Sequence, residues 1–307
     1  MILVCGENVI DFIPVEGKNE YFKSCIGGSP LNTALSLGRL NQQVYFFSRV
    51  SNDFFGQKII NFLDNNNVNT SLVQRTDDLT AVAIVSDRKN PQFSFHAAQT
   101  ADRNIKNYNL DNNFRNKLSL AHFGSLSLVL PPGSETYFRI MQDLEKKCII
   151  SVDPNVRKNL IPNKFFFKKR FNEFLKIADI IRLSDEDLEF IDSSNDTDNI
   201  INNWIKRNKV SVVILTKGSN GARLYTEKNK VSVDSKIVDI KDTVGAGDSF
   251  QAGVISWLNN KELLNNKKFL NLNENEWLEC LQFATIVASH CCRKEGCDPP
   301  WEREIVL

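Results

Sequence analysis

An α/β fold, with a mostly parallel central sheet covered by helices on both faces and a small β-sheet lid standing off it, is what three features of the sequence predict. Short β-branched or aromatic runs alternate with longer segments of helical spacing, the pattern of parallel strands joined by crossover helices. Two stretches, residues 12–26 and 80–98, break that alternation with strand-like residues and too little helix between them. The 307 residues are 42% hydrophobic and 24% charged, an ordinary globular composition that one large core can accommodate.

Strands are expected at residues 2–5, 44–50, 121–123, 148–152, 179–183 and 210–216, each a run rich in Val, Ile, Leu or Phe. The first helix begins near Pro30, whose fixed φ suits an opening turn, and carries Leu31, Ala34, Leu35 and Leu37 before Gly38. Further helices are expected at residues 54–63, 134–146, 165–176 and 200–207. Within the interrupting stretches Phe93, Ser94 and Phe95 alternate cleanly. These pieces are read as a small antiparallel β-lid, a device that excludes water during transfer chemistry; two ordinary edge hairpins would look the same. Asn-rich patches at 65–67 and 259–275 read as polar loops or helix ends.

Composition excludes several classes. Lys and Arg number 38 against 37 Asp and Glu, so there is no global attraction to nucleic acid, and any phosphate must be bound locally. No apolar stretch approaches the roughly 20 residues that cross a bilayer. The amino terminus enters an apolar run at once, without the charged start and cleavage region of a signal peptide, and the cytoplasm is the expected location. Seven cysteines without a C-x-x-C pair suit reduced thiols better than disulfides or structural zinc. Cys291 and Cys292 fall in an apolar helical pattern that implies packing. His122 and His290 read as core histidines, whereas His96 stands beside the lid aromatics.

The most informative segment runs from Asp242 through Thr243, Val244, Gly245, Ala246 and Gly247 to Asp248. It follows a strand-like run at 236–240 and precedes a helical run carrying Ala252, Val254, Ile255 and Trp257. Small residues at a helix start leave backbone N–H groups open, and the helix dipole adds positive charge, which makes an anion hole. A phosphate there would repel Asp248, so the acid needs another task, and general-base work on an incoming hydroxyl supplies one. A first-turn carboxylate following a tight glycine turn is the plainer alternative. Neither G-x-x-x-x-G-K-[ST] nor G-x-G-x-x-G occurs, which removes the main support for a P-loop or a dinucleotide fold.

Weaker signals flank it. Gly27 and Gly28, leading into Ser29, Pro30 and Asn32, permit close approach of a ligand or a hinge, and with Asp11 they could offer donors and acceptors to a polyol. Thr216, Lys217, Gly218 and Gly221 make a glycine-rich turn at the carboxyl end of a parallel strand, where ligands collect in open α/β sheets. Arg157, after Asp153, could bind phosphate oxygens through two parallel bonds. Asp187 or Glu186 could hold magnesium through water, although Ser184 followed by acids is also the pattern of a capped helix.

In this order the motifs resemble the PfkB (ribokinase-like) family of carbohydrate kinases, and within it the fructokinase branch. The resemblance spans nearly the whole chain: Gly6-Glu7 and Ile10-Asp11, the Gly27 to Asn32 segment, Asp53 to Gly56, Phe93 to Phe95 with Thr100-Ala101-Asp102, and then Asp153, Arg157, Ser184, Asp187, Thr216, Gly221 and Asp242 through Asp248. It implies a three-layer α/β/α sandwich over residues 1–307 with a lid from segments near 12–26 and 80–98. It also implies ATP-dependent phosphorylation of a sugar, most simply fructose to fructose 6-phosphate. Asp248 would be the base, and the amides of Gly245, Ala246 and Gly247 the anion hole, with Arg157 near the phosphates. Asp11, Gly27, Gly28, Asn32 and Phe95 would hold the sugar, and Thr216, Gly218, Gly221 and Ser184 the nucleotide. Mg2+ would meet Asp187 through water, a K+ ion would lie by Asp242 and Val244, and a homodimer through the lid face is implied as well.

Three departures qualify the likeness. The N-x-x-E signature associated with magnesium is here Ser184-x-x-Asp187. After the lid aromatics, His96-Ala97-Ala98 replaces an arginine common in relatives that act on fructose or 2-keto-3-deoxygluconate, which disfavours a carboxylate-bearing substrate. Thr285 stands where relatives often carry asparagine against the adenine. A kinase for 2-keto-3-deoxygluconate, ribose or a nucleoside, and a non-catalytic sugar- or nucleotide-binding regulator of the same fold, are the competing expectations.

Overall fold

The computed structural model of the chain describes residues 1–15, 18–86, 93–161, 163–194 and 196–305, so parts of both expected lid segments, 16–17 and 87–92, lie outside the described residues. The strands are β1 (Ile2–Cys5), β2 (Val9–Val15), β3 (Lys18–Gly27), β4 (Val44–Phe47), β5 (Arg49–Ser51), β6 (Val68–Asn69), β7 (Gln74–Thr76), β8 (Val82–Val85), β9 (Phe93–His96), β10 (Leu120–Gly124), β11 (Ile149–Asp153), β12 (Ile180–Ser184), β13 (Val212–Thr216), β14 (Ala222–Tyr225) and β15 (Lys230–Val233). The helices are α1 (Ser29–Arg39), α2 (Phe54–Asp64), α3 (Asn112–Lys117), α4 (Gly133–Leu144), α5 (Lys164–Ile177), α6 (Asp185–Ile191), α7 (Thr197–Arg207), α8 (Ala246–Asn260) and α9 (Glu274–Cys292).

The main sheet has the order β15-β14-β13-β12-β11-β10-β1-β4-β6. Its strands from β13 to β6 are parallel, and β14 and β15 close one edge as an antiparallel hairpin. Strands β10 and β11 are buried along their whole length, as parallel strands covered on both faces must be. Two apolar clusters fill the two sides. One, with α1, α8 and α9, is centred on Leu31, Val254 and Trp277; the other, with α4, α5 and α7, on Tyr137, Phe171 and Ile201. The chain leaves β1 toward β4 and β6, then returns to the other side of β1 through β10. Ligand crevices open at such a reversal, at the carboxyl ends of the strands.

A separate four-stranded sheet, β3-β2-β8-β9, stands at that end. Contrary to the antiparallel expectation it is mixed, because Ile10 of β2 pairs with Val82 of β8 in parallel register. The reason is connectivity: β2–β3 and β8–β9 are antiparallel neighbours, but α1, α2 and several strands intervene between β3 and β8, and a long crossover lets strands run the same way.

Two strand expectations change. The 44–50 run is broken at the buried Ser48, whose hydroxyl accepts from Asn8 Nδ2 at 2.9 Å, and its second half pairs in parallel with β7. Residues 236–240 are not a strand: β15 already ends the sheet edge, and Ile237 and Ile240 are exposed. The Asn-rich patches are turns and helix ends, with Asn273 capping α9. Cys291 is buried and Cys292 half-buried. No described helix is long and apolar enough to cross a membrane.

Candidate active site

The first turns of α1 and α8 converge beneath the smaller sheet. The sequence dictates both turns. Gly28 precedes α1 at φ +109, where a Cβ would lie 2.8 Å from the Glu7 carbonyl oxygen, and Pro30 opens the helix. Gly245 precedes α8 in the left-handed region at φ +76, where a Cβ would meet Cys297 Sγ at 2.2 Å. Only glycine tolerates such a conformation and approach together. Asp242 holds the preceding loop by accepting from the amides of Val244 at 3.0 Å and Gly296 at 2.8 Å.

Asp248 is in the first turn of α8 and 6% exposed. Ser29 Oγ donates to its Oδ1 at 2.6 Å and Asn32 Nδ2 to its Oδ2 at 2.9 Å, so two residues of α1 fix the carboxylate's plane. Burial pushes Asp248 up to about 6; the neighbouring Asp153 acts the same way, while Ser29, Asn32 and Arg182 favour the ionised form. The carboxylate is thus ionised at neutral pH and still basic enough to take a proton. The Ala246 N–H is turned to the Thr243 carbonyl at 3.2 Å, whereas among the described residues no acceptor holds the N–H of Gly247 or Asp248. These amides, at the positive end of α8, form the open part of the anion hole.

Asp248 lines a cavity of about 410 Å³ at the carboxyl edge of the main sheet, roofed by β2 and β9. Asp11, Gly28, Asn32, Phe95, Arg157, Ser184, Asp187, Val244, Gly245 and Gly247 line it too. Gly27 does not, but backs Asp11: a Cβ there would fall 2.2 Å from the Asp11 carboxylate. Burial pushes Asp11 up to about 6, and the nearby Arg157, exposed at the rim, offsets part of this. Asn32 Oδ1 is buried without a partner, an acceptor that a ligand hydroxyl would satisfy. In β9 the side chains alternate, so His96 is exposed where Phe95 faces the cavity.

Thr216, Gly218 and Gly221 do not line this cavity. They continue its edge, since Thr216 pairs with Ser184 across β12 and β13. Gly221 is required where a Cβ would lie 2.0 Å from the Val233 carbonyl oxygen, whereas Gly218, at φ +52, faces open space. Ser184 and Asp187 form the capping box of α6. Both Asp187 oxygens are engaged, one with the Ser184 amide at 2.9 Å and one with the Val156 amide at 2.7 Å. Thr285 turns its hydroxyl back to the Leu281 carbonyl of its own helix at 2.8 Å. His122 is buried, bonded to Ser151 at 3.0 Å, and held down to about 3 by burial, hence neutral.

Sequence reasoning gave no site role to several residues that share the cavity. Ser29 was legible as the hydroxyl inside the double-glycine turn. Arg182 was legible as the one cation in an apolar strand; it is 8% exposed and ion-paired with Asp153 at 2.9 Å. Glu7 and Asp102 are buried carboxyls pushed by burial up to about 7 and about 6. Glu7 accepts from the Ser127 amide at 3.0 Å and so ties the end of β1 to the turn after β10.

Comparison with known proteins adds a pattern. The profile described as pfkB family carbohydrate kinase matches residues 1–304. A fructokinase from Rhizobium leguminosarum bv. trifolii is 33% identical over 279 residues, covering 89% of this chain and 84% of its own. Among solved structures, fructokinase from Xylella fastidiosa with bound ATP superposes with a TM-score of 0.87 at 24% identity, over 96% of this chain and 93% of that one. A double mutant of fructokinase from Vibrio cholerae O395, solved with fructose, ADP and a potassium ion, gives 0.83 at 22% identity, over 96% and 93%.

Proposed function

This chain belongs to the pfkB family of carbohydrate kinases, and from that premise we propose that it transfers the γ-phosphoryl group of ATP to fructose, giving fructose 6-phosphate. The observation that carries the reading is the placement of Asp248: ionisable near pH 6, held by Ser29 and Asn32, and adjacent to the unengaged amides of Gly247 and its own N–H. Phosphoryl transfer asks mainly for positioning and charge stabilisation, and this constellation supplies a base and an anion hole.

The sugar sits between Asp11, Gly28, Asn32 and Phe95, with Gly27 letting Asp11 stand where it does. Its reacting hydroxyl points at Asp248. The nucleotide lies along the edge marked by Ser184, Thr216, Gly218 and Gly221, with its terminal phosphate on the amides of Gly245, Gly247 and Asp248. Arg157 closes on phosphate oxygens from the rim. The smaller sheet acts as a lid, and its Phe95 face excludes water that would otherwise compete as acceptor.

Among the described residues no three His, Cys, Asp or Glu side chains converge to hold a metal directly. Asp187 would be the residue to hold magnesium, through a water. When bound, it neutralises phosphate charge. Asp242 and Val244 offer the hard oxygen donors that a potassium ion would use behind the anion hole. Phe22 and Ile84 are exposed apolar residues on one face of the lid, and they support a homodimer through that face. The reduced thiols suit the cytoplasm.

The test is a panel of fructose, 2-keto-3-deoxygluconate, ribose and nucleosides in a coupled ADP-release assay. Fructose should give the highest kcat/KM. A different preferred sugar would correct the substrate, and nucleotide binding without ADP formation on any sugar would replace the enzyme with a binding protein.

A further inference from the structure

We propose that Arg182 is a catalytic residue for this same transfer, the fixed buried cation that holds the terminal phosphate of ATP against the anion hole. The inference rests on the kinase reading above and adds a group outside the motifs. Its first support is contact. A Cβ on Gly247 would meet Arg182 Nη1 at 2.6 Å, Nη2 at 2.7 Å and Cζ at 2.9 Å, so the guanidinium lies against the backbone whose N–H groups are open. An anion seated on those amides touches it.

Its second support is uncommitted donors. Nη1 donates to Asp153 at 2.9 Å and Nη2 to Thr216 Oγ1 at 2.5 Å, while Nε is buried with no partner. A guanidinium carries five N–H groups, and a phosphate oxygen is the acceptor the remaining ones lack. The third support is charge. Asp153, Asp187 and Asp248 all surround this position, and a triphosphate brought among three carboxylates needs a cation. Of the other cationic residues lining the cavity, Arg157 is exposed at the rim, and Arg103 donates to the carbonyls of Pro131 at 2.9 Å and Ala97 at 3.3 Å.

A purely structural tie between β11 and β12 explains less. Buried ion pairs are often no more stabilising than apolar residues of similar size, and Arg182 interrupts the run of Ile180, Ile181 and Leu183, which are fully buried and apolar. In the transfer itself, the sugar oxygen bonds to the γ-phosphorus, the bond from that phosphorus to the bridging oxygen breaks, and ADP leaves with the electron pair. The hydroxyl proton goes to Asp248. Arg182 holds non-bridging oxygens throughout and exchanges no proton.

The experiment measures ATP and ADP affinities by calorimetry, without sugar, beside kcat and KM, for the wild type and for Arg182→Gln. The expected result is a loss of ATP affinity of about tenfold with ADP affinity within about twofold, and kcat lower by roughly 10²–10³-fold, the size of one lost oxyanion donor. Added guanidinium ion should restore part of kcat to Arg182→Ala. Equal loss of ATP and ADP affinity, or kcat within about threefold of wild type, overturns the proposal. If thermal melting shows Arg182→Gln unfolded, the double variant Asp153→Asn with Arg182→Met removes both charges of the buried pair together, and the same ATP-to-ADP ratio decides. An inactive wild type would sink the kinase reading and the catalytic role with it, while the ATP-to-ADP affinity ratio, which needs no turnover, would still decide whether Arg182 holds the terminal phosphate.

Discussion

The floor and the roof of the cavity are built to different standards. In the floor, β10 and β11 are buried at every position, and Ser29, Asn32, Asp153, Arg182 and Asp248 are all at most 8% exposed. In the roof, β2 is buried at one position of seven, and the far strand β3 leaves Tyr21 64% exposed. A densely packed floor fixes side chains to fractions of an ångström, which is what transition-state stabilisation requires. A half-packed sheet has little to lose on moving, which is what admission and enclosure of substrate require. Substitutions in the floor should therefore act chiefly on kcat, and those in the roof chiefly on KM.

The largest effect is expected at the base. Asp248→Asn keeps the shape of the side chain and removes the acceptor, and kcat should fall roughly 10²–10⁴-fold, with the KM values for sugar and ATP little changed. Steady-state kinetics at saturating ATP measures it. A variant that keeps nearly all of its kcat would move the base elsewhere.

Next comes the backbone of the same floor. Gly245→Ala must place a methyl 2.2 Å from Cys297 Sγ at φ +76, which displaces the amides that follow. We expect kcat to drop roughly 10²-fold, as for one misplaced oxyanion donor, with a lower melting temperature. Adding Cys297→Ala should recover part of both, because it removes the Sγ contact while leaving the residue's Cβ 2.7 Å from the new methyl and the φ strain. No recovery would place the effect in that remaining contact and the backbone.

The floor was also the more legible region. The parallel sheet, α1 and the start of α8 follow from periodicity and from small residues at helix starts, signals that local chemistry writes directly into the chain. Asp248, Gly245 and Gly247 could be singled out because an acid beside an anion hole is an anomaly. Arg182 and Ser29 stand out by residue type alone and could be given no role, since their roles depend on which strand lies beside which helix, and that pairing is long-range. Residues 236–240 carry a strand's composition but follow the edge strand β15 without pairing to it. The parallel β2–β8 pair was missed because direction is set by the crossover between them, which no run of residues encodes.

In the roof, Phe95→Ala tests the other half of the contrast. Phe95 faces the cavity from β9 and is only partly buried, so truncation should raise the KM for sugar roughly tenfold, about 1.4 kcal/mol of lost contact. Its kcat should stay within about threefold. A kcat loss as large as that of Gly245→Ala would mean that the smaller sheet positions the reacting groups and that the division between floor and roof is false.

The smallest effect concerns stability where the two regions meet. Glu7, at the end of β1, is pushed by burial up to about 7, against an ordinary glutamate value of about 4.3 in the unfolded chain. The folded state therefore binds the proton more tightly, and the associated stability is fully present below pH ~4 and lost as pH rises through about 7. Above that, the wild type carries the cost of a buried carboxylate, about 4 kcal/mol at most. Glu7→Gln keeps an oxygen for the Ser127 amide and never ionises. Its melting temperature relative to wild type should consequently rise by a few degrees between pH 5 and pH 8, as scanning fluorimetry at both pH values would show. Asp11 and Asp248, each also pushed up by burial to about 6, titrate in both proteins and cancel, so the difference between the two melts reports Glu7 together with Asp102, whose charge acts on it. A gap that stays constant from pH 5 to pH 8 would mean that water reaches Glu7 and that the junction of floor and roof is open.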